Sequence, residues 1–312
     1  MLDLALQDER IYLVVGDLGF GVVESFAQKL PRQFLNSGVA EQNMTGIAAG
    51  LALSGKIVFT YSIANFPTLR CLEQIRNDIC YHNANVKIVA VGGGFAYGGL
   101  GMTHHATEDL AILRALPAMT VVAPGDPLET ASATRALVDH SGPCYLRLGR
   151  AGENIVHSAA IHFAIGRALM LQDGHDLTLI ATGGMLETTV AAANRLASQG
   201  FHARVLSMHT VKPLDANAVM RAATETSAVF TVEEHSMIGG LGSAVAEVLA
   251  ESGQSVVFRR IALPAAFSSK IGSQEYLRAQ YGLSESAIVA SVHAALEAPA
   301  GNRKFSVRAS AD

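Results

Sequence analysis

The chain has 312 residues, enough for about two domains of ~150 residues each. Half of its residues are apolar and only 16% are charged, against ~25% in ordinary soluble domains, which excludes a disordered chain. A net charge of −4 gives no basic field, so no nucleic-acid partner is expected.

From the N-terminus, the β-branched runs Ile11–Gly16, Lys56–Tyr61, Lys87–Gly92, Met119–Pro124 and Cys144–Leu148 read as buried parallel strands. Helical patterns lie between them. Met44, Ile47, Ala48 and Leu51 follow i, i+3, i+4, i+7, with Gly55 just past the helix end. Further helices are expected over Leu72–Tyr81, Glu108–Leu116 behind Thr107 as N-cap, and Pro127–Asp139. A second series begins after Gly152. Strands Leu177–Thr182, Ala203–Met208, Val229–Glu233 and Val256–Ile261 alternate with helices near Leu186–Ser198, Ala216–Thr224 and Ser243–Glu251, with Gly200 and Gly253 as stops. Such alternation predicts an α/β chain with two doubly wound, mainly parallel sheets, joined near Ala151–Ala160.

The longest uncharged, largely apolar stretch, Ile88–Met102, is rich in glycine and too short to span a bilayer, so no membrane partner is expected. The start, MLDLALQDER, lacks the basic and apolar regions of a signal peptide. Cys71, Cys80 and Cys144 are too few and too irregularly spaced for a disulfide framework or a zinc site. A cytoplasmic protein is expected, and its low charge suggests a surface covered by another chain.

Two glycine-rich segments, GGGFAYGGLG (92–101) and IGGLG (238–242), invite a phosphate-binding reading. Neither forms GxGxxG after a strand with a later acidic residue, so tight turns and close packing are the better reading. More informative is FLNSGVAEQNM (34–44), which sets Glu41 before an apolar helix. Its neighbours in sequence are small or apolar and none is cationic. A carboxyl in that setting would hold its proton more tightly and could share it with a ring nitrogen.

The stretch GVAEQNMTGIAAGLA (38–52) resembles the pyrimidine-binding domain of thiamine-diphosphate enzymes of the transketolase group. LEQIRND (72–78), TH-x-x-x-ED (103–109) and GPCYLRLGRAGE (142–153) agree with it in order and spacing. VKPLD (211–215) and VEEHSMIGGLG (232–242) resemble the transketolase C-terminal domain. The resemblance implies a pyrimidine-binding domain over 1–152, a C-terminal domain over 160–298 and a flexible tail over 299–312. It further implies that Glu41 hydrogen-bonds the aminopyrimidine of thiamine diphosphate, that His104 contacts sugar hydroxyls, and that Arg150 grips a sugar phosphate. Asp17 and Phe66 are the remaining cofactor-binding candidates. Phe66 stands beside Pro67, which occupies the place of the family's stacking aromatic.

Departures from the family pattern are Leu100, where an Asp is usual, His105 for Gln, and Gly21 for Ser. Leu100 puts the usual aldose-phosphate preference in doubt, because the family's Asp there recognises an acceptor hydroxyl. The GDG motif of the diphosphate-binding domain is missing, so no metal ligand is expected on this chain. The resemblance therefore implies a split enzyme. An N-terminal subunit would hold the diphosphate with Mg²⁺ or Ca²⁺, the two chains would assemble as α2β2, and sugar phosphates would exchange a two-carbon ketol unit. A 1-deoxyxylulose-5-phosphate synthase-like enzyme and a 2-oxoacid dehydrogenase β-type subunit are the alternative enzymes. A non-catalytic regulatory or nucleotide-binding subunit is the alternative of another class.

Overall fold

The computed structural model describes residues 1–297, so the expected tail over 299–312 lies outside the described residues. Twelve strands are described: β1 (Ile11–Val15), β2 (Phe34–Asn36), β3 (Ile57–Ile63), β4 (Val86–Val91), β5 (Thr120–Val122), β6 (Cys144–Leu148), β7 (Leu169–Gln172), β8 (Leu177–Ala181), β9 (Ala203–Ser207), β10 (Thr210–Lys212), β11 (Ala228–Ser236) and β12 (Val257–Leu263). They form two sheets, ordered β10-β5-β6-β4-β3-β1-β2 and β12-β11-β8-β9-β7. Neighbours are parallel except at two edges, where β10 pairs antiparallel with β5 and β7 with β9.

The strands are nearly continuous apolar runs because both faces of each sheet are covered. In the first sheet Val14, Val58 and Ile88 face one side, where the helix Glu41–Leu53 contributes Met44 and Ala48. Leu13, Val15, Phe59 and Val89 face the other, against Ala133 and Leu137 of the helix Pro127–Asp139. The second sheet repeats this arrangement. Leu179, Val205 and Phe230 meet the helices Leu186–Ser198 and Glu285–Glu297, and Ile180, Leu206 and Val229 meet Ala216–Glu225 and Leu241–Ser252. No helix among the described residues is long and apolar enough to cross a membrane.

Several local expectations change. Glu108, not Thr107, precedes the helix Asp109–Ala115, and no side chain caps it. The helix expected over Leu72–Tyr81 widens into π-helix at Ile75–Cys80, which follows a short α-helical segment, Leu72–Gln74. The second half also lends β10 to the first sheet, and Lys212 donates from it to the carbonyls of Arg114 and Leu116. Between β6 and β7 the chain runs without regular structure, yet the amides of Val156 and His157 donate to Asp126 Oδ2 at 3.0 and 3.1 Å.

Candidate active site

Ligands of open parallel sheets sit outside the carboxyl ends of the strands, where the strand order reverses. Here the order reverses between β1 and β3, which are adjacent while their connections run to opposite sides. Glu41 lies there, at the first turn of its helix, and is 1% exposed. Gly16, just past β1, borders it: a Cβ at that position would stand 3.4 Å from Glu41 Cγ, at van der Waals contact. The carboxylate is not isolated as the sequence suggests. Arg70 Nη1 donates to Glu41 Oε2 at 2.6 Å, while Oε1 has only a long 3.5 Å contact from Ser62 Oγ. Behind them burial pushes the Cys71 thiol up, and its Sγ donates to the Phe66 carbonyl at 3.2 Å.

Loops after β3 and β4 bring Phe66 and His104 together, edge to face at 5.2 Å between centroids. Asn65 fastens the two loops, since its Nδ2 donates to the carbonyls of Thr103 and His105 at 3.2 and 2.6 Å. Thr103 Oγ1 lies 3.0 Å from His104 Nδ1, which leaves Nε2 as the nitrogen open to a ligand. A pocket of about 290 Å³ opens alongside, lined among others by Phe66, Arg70, Met102 and Thr103, with Phe267 from the second half. Arg70 spans both features, with its guanidinium 4.5 Å from the Phe66 ring centroid.

Of the candidates only Phe66 lines the pocket; Glu41 and His104 reach its wall through Arg70 and Phe66, and Asp17 and Arg150 make other contacts. Asp17 has φ 56 and fastens the loop after β1 to β2: its amide donates to Asn36 Oδ1 at 3.1 Å, and its Oδ1 accepts from Asn36 Nδ2 at 2.8 Å. Arg150 extends past β6 with its guanidinium 6.0 Å from the Tyr97 ring. Sequence reasoning passes over Arg70, Asn65 and Phe267. Arg70 has one signal, its place two residues ahead of LEQIRND; the others have none.

The glycine-rich loop over 92–101 is set by the second half of the chain. Glu234, at the end of β11, accepts from the Phe95 amide at 3.1 Å and from Gln274 Nε2 and Arg278 Nη2 at 2.9 and 2.8 Å. Gly94 has φ +64, and a Cβ there would stand 2.5 Å from Glu234 Cδ, so only glycine fits. Beneath the loop, Asp109 Oδ2 accepts from Tyr145 Oη at 2.5 Å and from Arg147 Nε at 2.8 Å, and Arg147 Nη2 reaches the carbonyls of Ala106 and Glu234. The IGGLG turn leaves no anion site open: the amides of Leu241 and Gly242 both donate to Glu233 at 2.7 Å. Burial pushes that carboxyl up, and His235 and the two amides oppose the shift.

A buried carboxylate with one weakly used oxygen, beside an aromatic ring and an open pocket, fits the aminopyrimidine half of thiamine diphosphate. Among the described residues no group of three or more His, Cys, Asp or Glu is placed to hold a metal ion. Comparison with known proteins gives the family. Family models for the transketolase pyrimidine-binding domain and the transketolase C-terminal domain match residues 1–152 and 166–288. The chain is 43% identical to a Phocaeicola vulgatus protein named as a subunit of apulose-4-phosphate transketolase, over 92% of each chain. It is 40% identical to a Clostridium sp. protein named as a subunit of 6-deoxy-6-sulfo-D-fructose transketolase, over 95% of this chain and 92% of the other. Among solved structures, one described as a split gene transketolase, inactive beta4 tetramer, superposes with a TM-score of 0.85 at 40% identity, over 95% of this chain and 94% of that one. The chain belongs to the transketolase family, with that family's pyrimidine-binding and C-terminal domains.

Proposed function

We propose that the chain is the C-terminal subunit of a split transketolase, which moves a two-carbon ketol unit between sugar phosphates together with an N-terminal subunit. The observation that carries this reading is Glu41, a buried carboxylate at the strand-order reversal with one oxygen weakly engaged, linked through Arg70 to Phe66, which meets His104 edge to face. Thiamine diphosphate, when bound, supplies the carbanion chemistry, and the protein supplies orientation and electrostatics. Glu41 would take and return a proton at the aminopyrimidine ring, and Phe66 would flank that ring. His104 would use Nε2 to hold donor or acceptor hydroxyls. Arg150, whose planar fork suits a phosphate, would take the far end of the sugar. Asp17 would act at one remove, by holding the loop that borders Gly16.

The diphosphate and its Mg²⁺ or Ca²⁺ would be held by the N-terminal subunit. Exposed Phe20, Val22 and Val39 give this chain apolar surface near the site for such a partner, in keeping with an α2β2 assembly. We read the protein as cytoplasmic, in accord with its three free, buried cysteines. Mixing the chain with a GDG-containing partner, thiamine diphosphate and Mg²⁺ should restore ketol transfer, and a panel of ketose phosphates and sulfonates should identify the donor. No transfer and no cofactor binding in any such mixture would sink the reading.

A further inference from the structure

The half-site is already filled by this chain's own residue. Arg70 lies with its guanidinium carbon 4.5 Å from the Phe66 ring centroid and donates through Nη1 to Glu41 Oε2 at 2.6 Å. A flat, delocalised group with N–H donors thus rests on the aromatic ring and bonds to the buried carboxylate. Those are the two contacts that an aminopyrimidine would make with the same residues. Glu41 is 1% exposed, whereas the Arg70 side chain is 47% exposed and lines the pocket. Arg70 therefore stands between Glu41 and the opening.

We propose that Arg70 is a placeholder for the cofactor ring, which keeps Glu41 and Phe66 in a ligand-ready arrangement and gives way when the ring enters. This rests on the reading of Glu41 and Phe66 as the pyrimidine seat. A buried carboxylate without a partner is costly, so the unliganded chain needs a donor at this place. A guanidinium meets the need and also stacks on aromatic faces, which an ammonium does poorly. Its anchoring suits a movable group. The Arg70 backbone is held by Gln42 Nε2, which donates to the Arg70 carbonyl at 3.0 Å, while the side chain stays half exposed.

The test compares Arg70→Met and Arg70→Lys with the wild type in the assembled enzyme, by calorimetric titration of thiamine diphosphate with Mg²⁺ and by thermal melting without cofactor. Removing a competitor should tighten binding, so Arg70→Met should lower Kd about threefold to tenfold, the worth of a partly exposed ion pair with a hydrogen bond. The cofactor-free melting temperature should fall, because Glu41 loses its donor. Arg70→Lys, which pairs without stacking well, should lie between the two. An unchanged or raised Kd for Arg70→Met would overturn the proposal, and a raised one would make Arg70 an ordinary ligand-holding residue. If the wild type binds no cofactor, or Glu41→Ala keeps full ketol transfer, the functional reading fails instead.

Discussion

The two halves of the molecule meet at a polar core, and the candidate site opens beside it. The same residue types occur in both, and what differs is whether their partners are buried or exposed. At the interface Tyr145, Arg147, Glu233 and Glu234 are held by one another, by Asp109 Oδ2 or by nearby backbone groups within the chain, while Asp109 Oδ1 is buried without a hydrogen bond, 4.0 Å from His235 Nε2. At the site Glu41 leans on a half-exposed arginine and one long contact, and the pocket wall carries Phe267, 75% exposed. Burial alone does not mark function, because both regions bury carboxylates. The mark is a buried acidic group whose partner, here Arg70, is half exposed and lines open space.

The sharpest way to break this contrast is to remove the carboxylate from each region. Glu41→Ala in the assembled enzyme should cut ketol transfer at least about a hundredfold, the usual worth of a proton-transfer group. The melting temperature should move little, because the remaining partner, Arg70, is half exposed. Full-rate transfer by this variant would remove Glu41 from the mechanism. Arg147→Met should do the reverse. It leaves Asp109 buried beside Tyr145 without its cation, which costs about 3–5 kcal/mol of stability in urea titration. A loss below ~1 kcal/mol would show that the interface network is not the lock that its hydrogen bonds describe.

A second buried carboxylate sharpens the contrast through pH. Glu129, in the first turn of the helix Pro127–Asp139, accepts from the Gly125 amide at 2.6 Å and lies 3.0 Å from His157 Nε2. Burial pushes its carboxyl up from 4.5 to about 7. The unfolded chain therefore releases a proton that the folded chain keeps between those values. The stability this group contributes is full below pH 4.5 and is lost as pH rises through 7. Glu129→Gln should abolish that loss, so wild type and variant should diverge by about 3 kcal/mol between pH 4.5 and 8 in denaturant titrations. Parallel curves would mean that the carboxylate is stabilised by groups such as His157 as well in the fold as in water.

The parallel strands and the helix Glu41–Leu53 were legible in the sequence because burial on both faces leaves β-branched runs, and a covered helix leaves a 3.6-residue period. Glu41 and His104 stood out through short ordered motifs. The partner of Glu41 does not: Arg70 lies 29 residues away, in the single 3-10 turn Leu69–Cys71 between β3 and the π-helical stretch. The tie between Glu234 and the Phe95 amide spans 139 residues and has no local signal. Strands β2, β7 and β10 are short edge strands and lack the fully buried apolar run that marks β5, which is as short but lies inside its sheet. The IGGLG segment reads as a packing turn, and Glu233, which accepts from the Leu241 and Gly242 amides, has no signal in the sequence.

The smallest effect tests the one cap that the sequence suggested and the structure removed. Thr107 reads as the N-cap of the following helix, and a capping Thr is worth ~1 kcal/mol over Ala. In the fold the helix starts one residue later, behind Glu108, without a side-chain cap, and Thr107 instead receives the Ser236 amide on its carbonyl at 2.8 Å. That bond uses the backbone, which Ala retains. Thr107→Ala should therefore shift unfolding by less than ~0.5 kcal/mol in urea. A loss near the capping value would show that the hydroxyl closes the helix in solution. It would also move Thr107 from the backbone seam between the halves to the helix that carries Asp109.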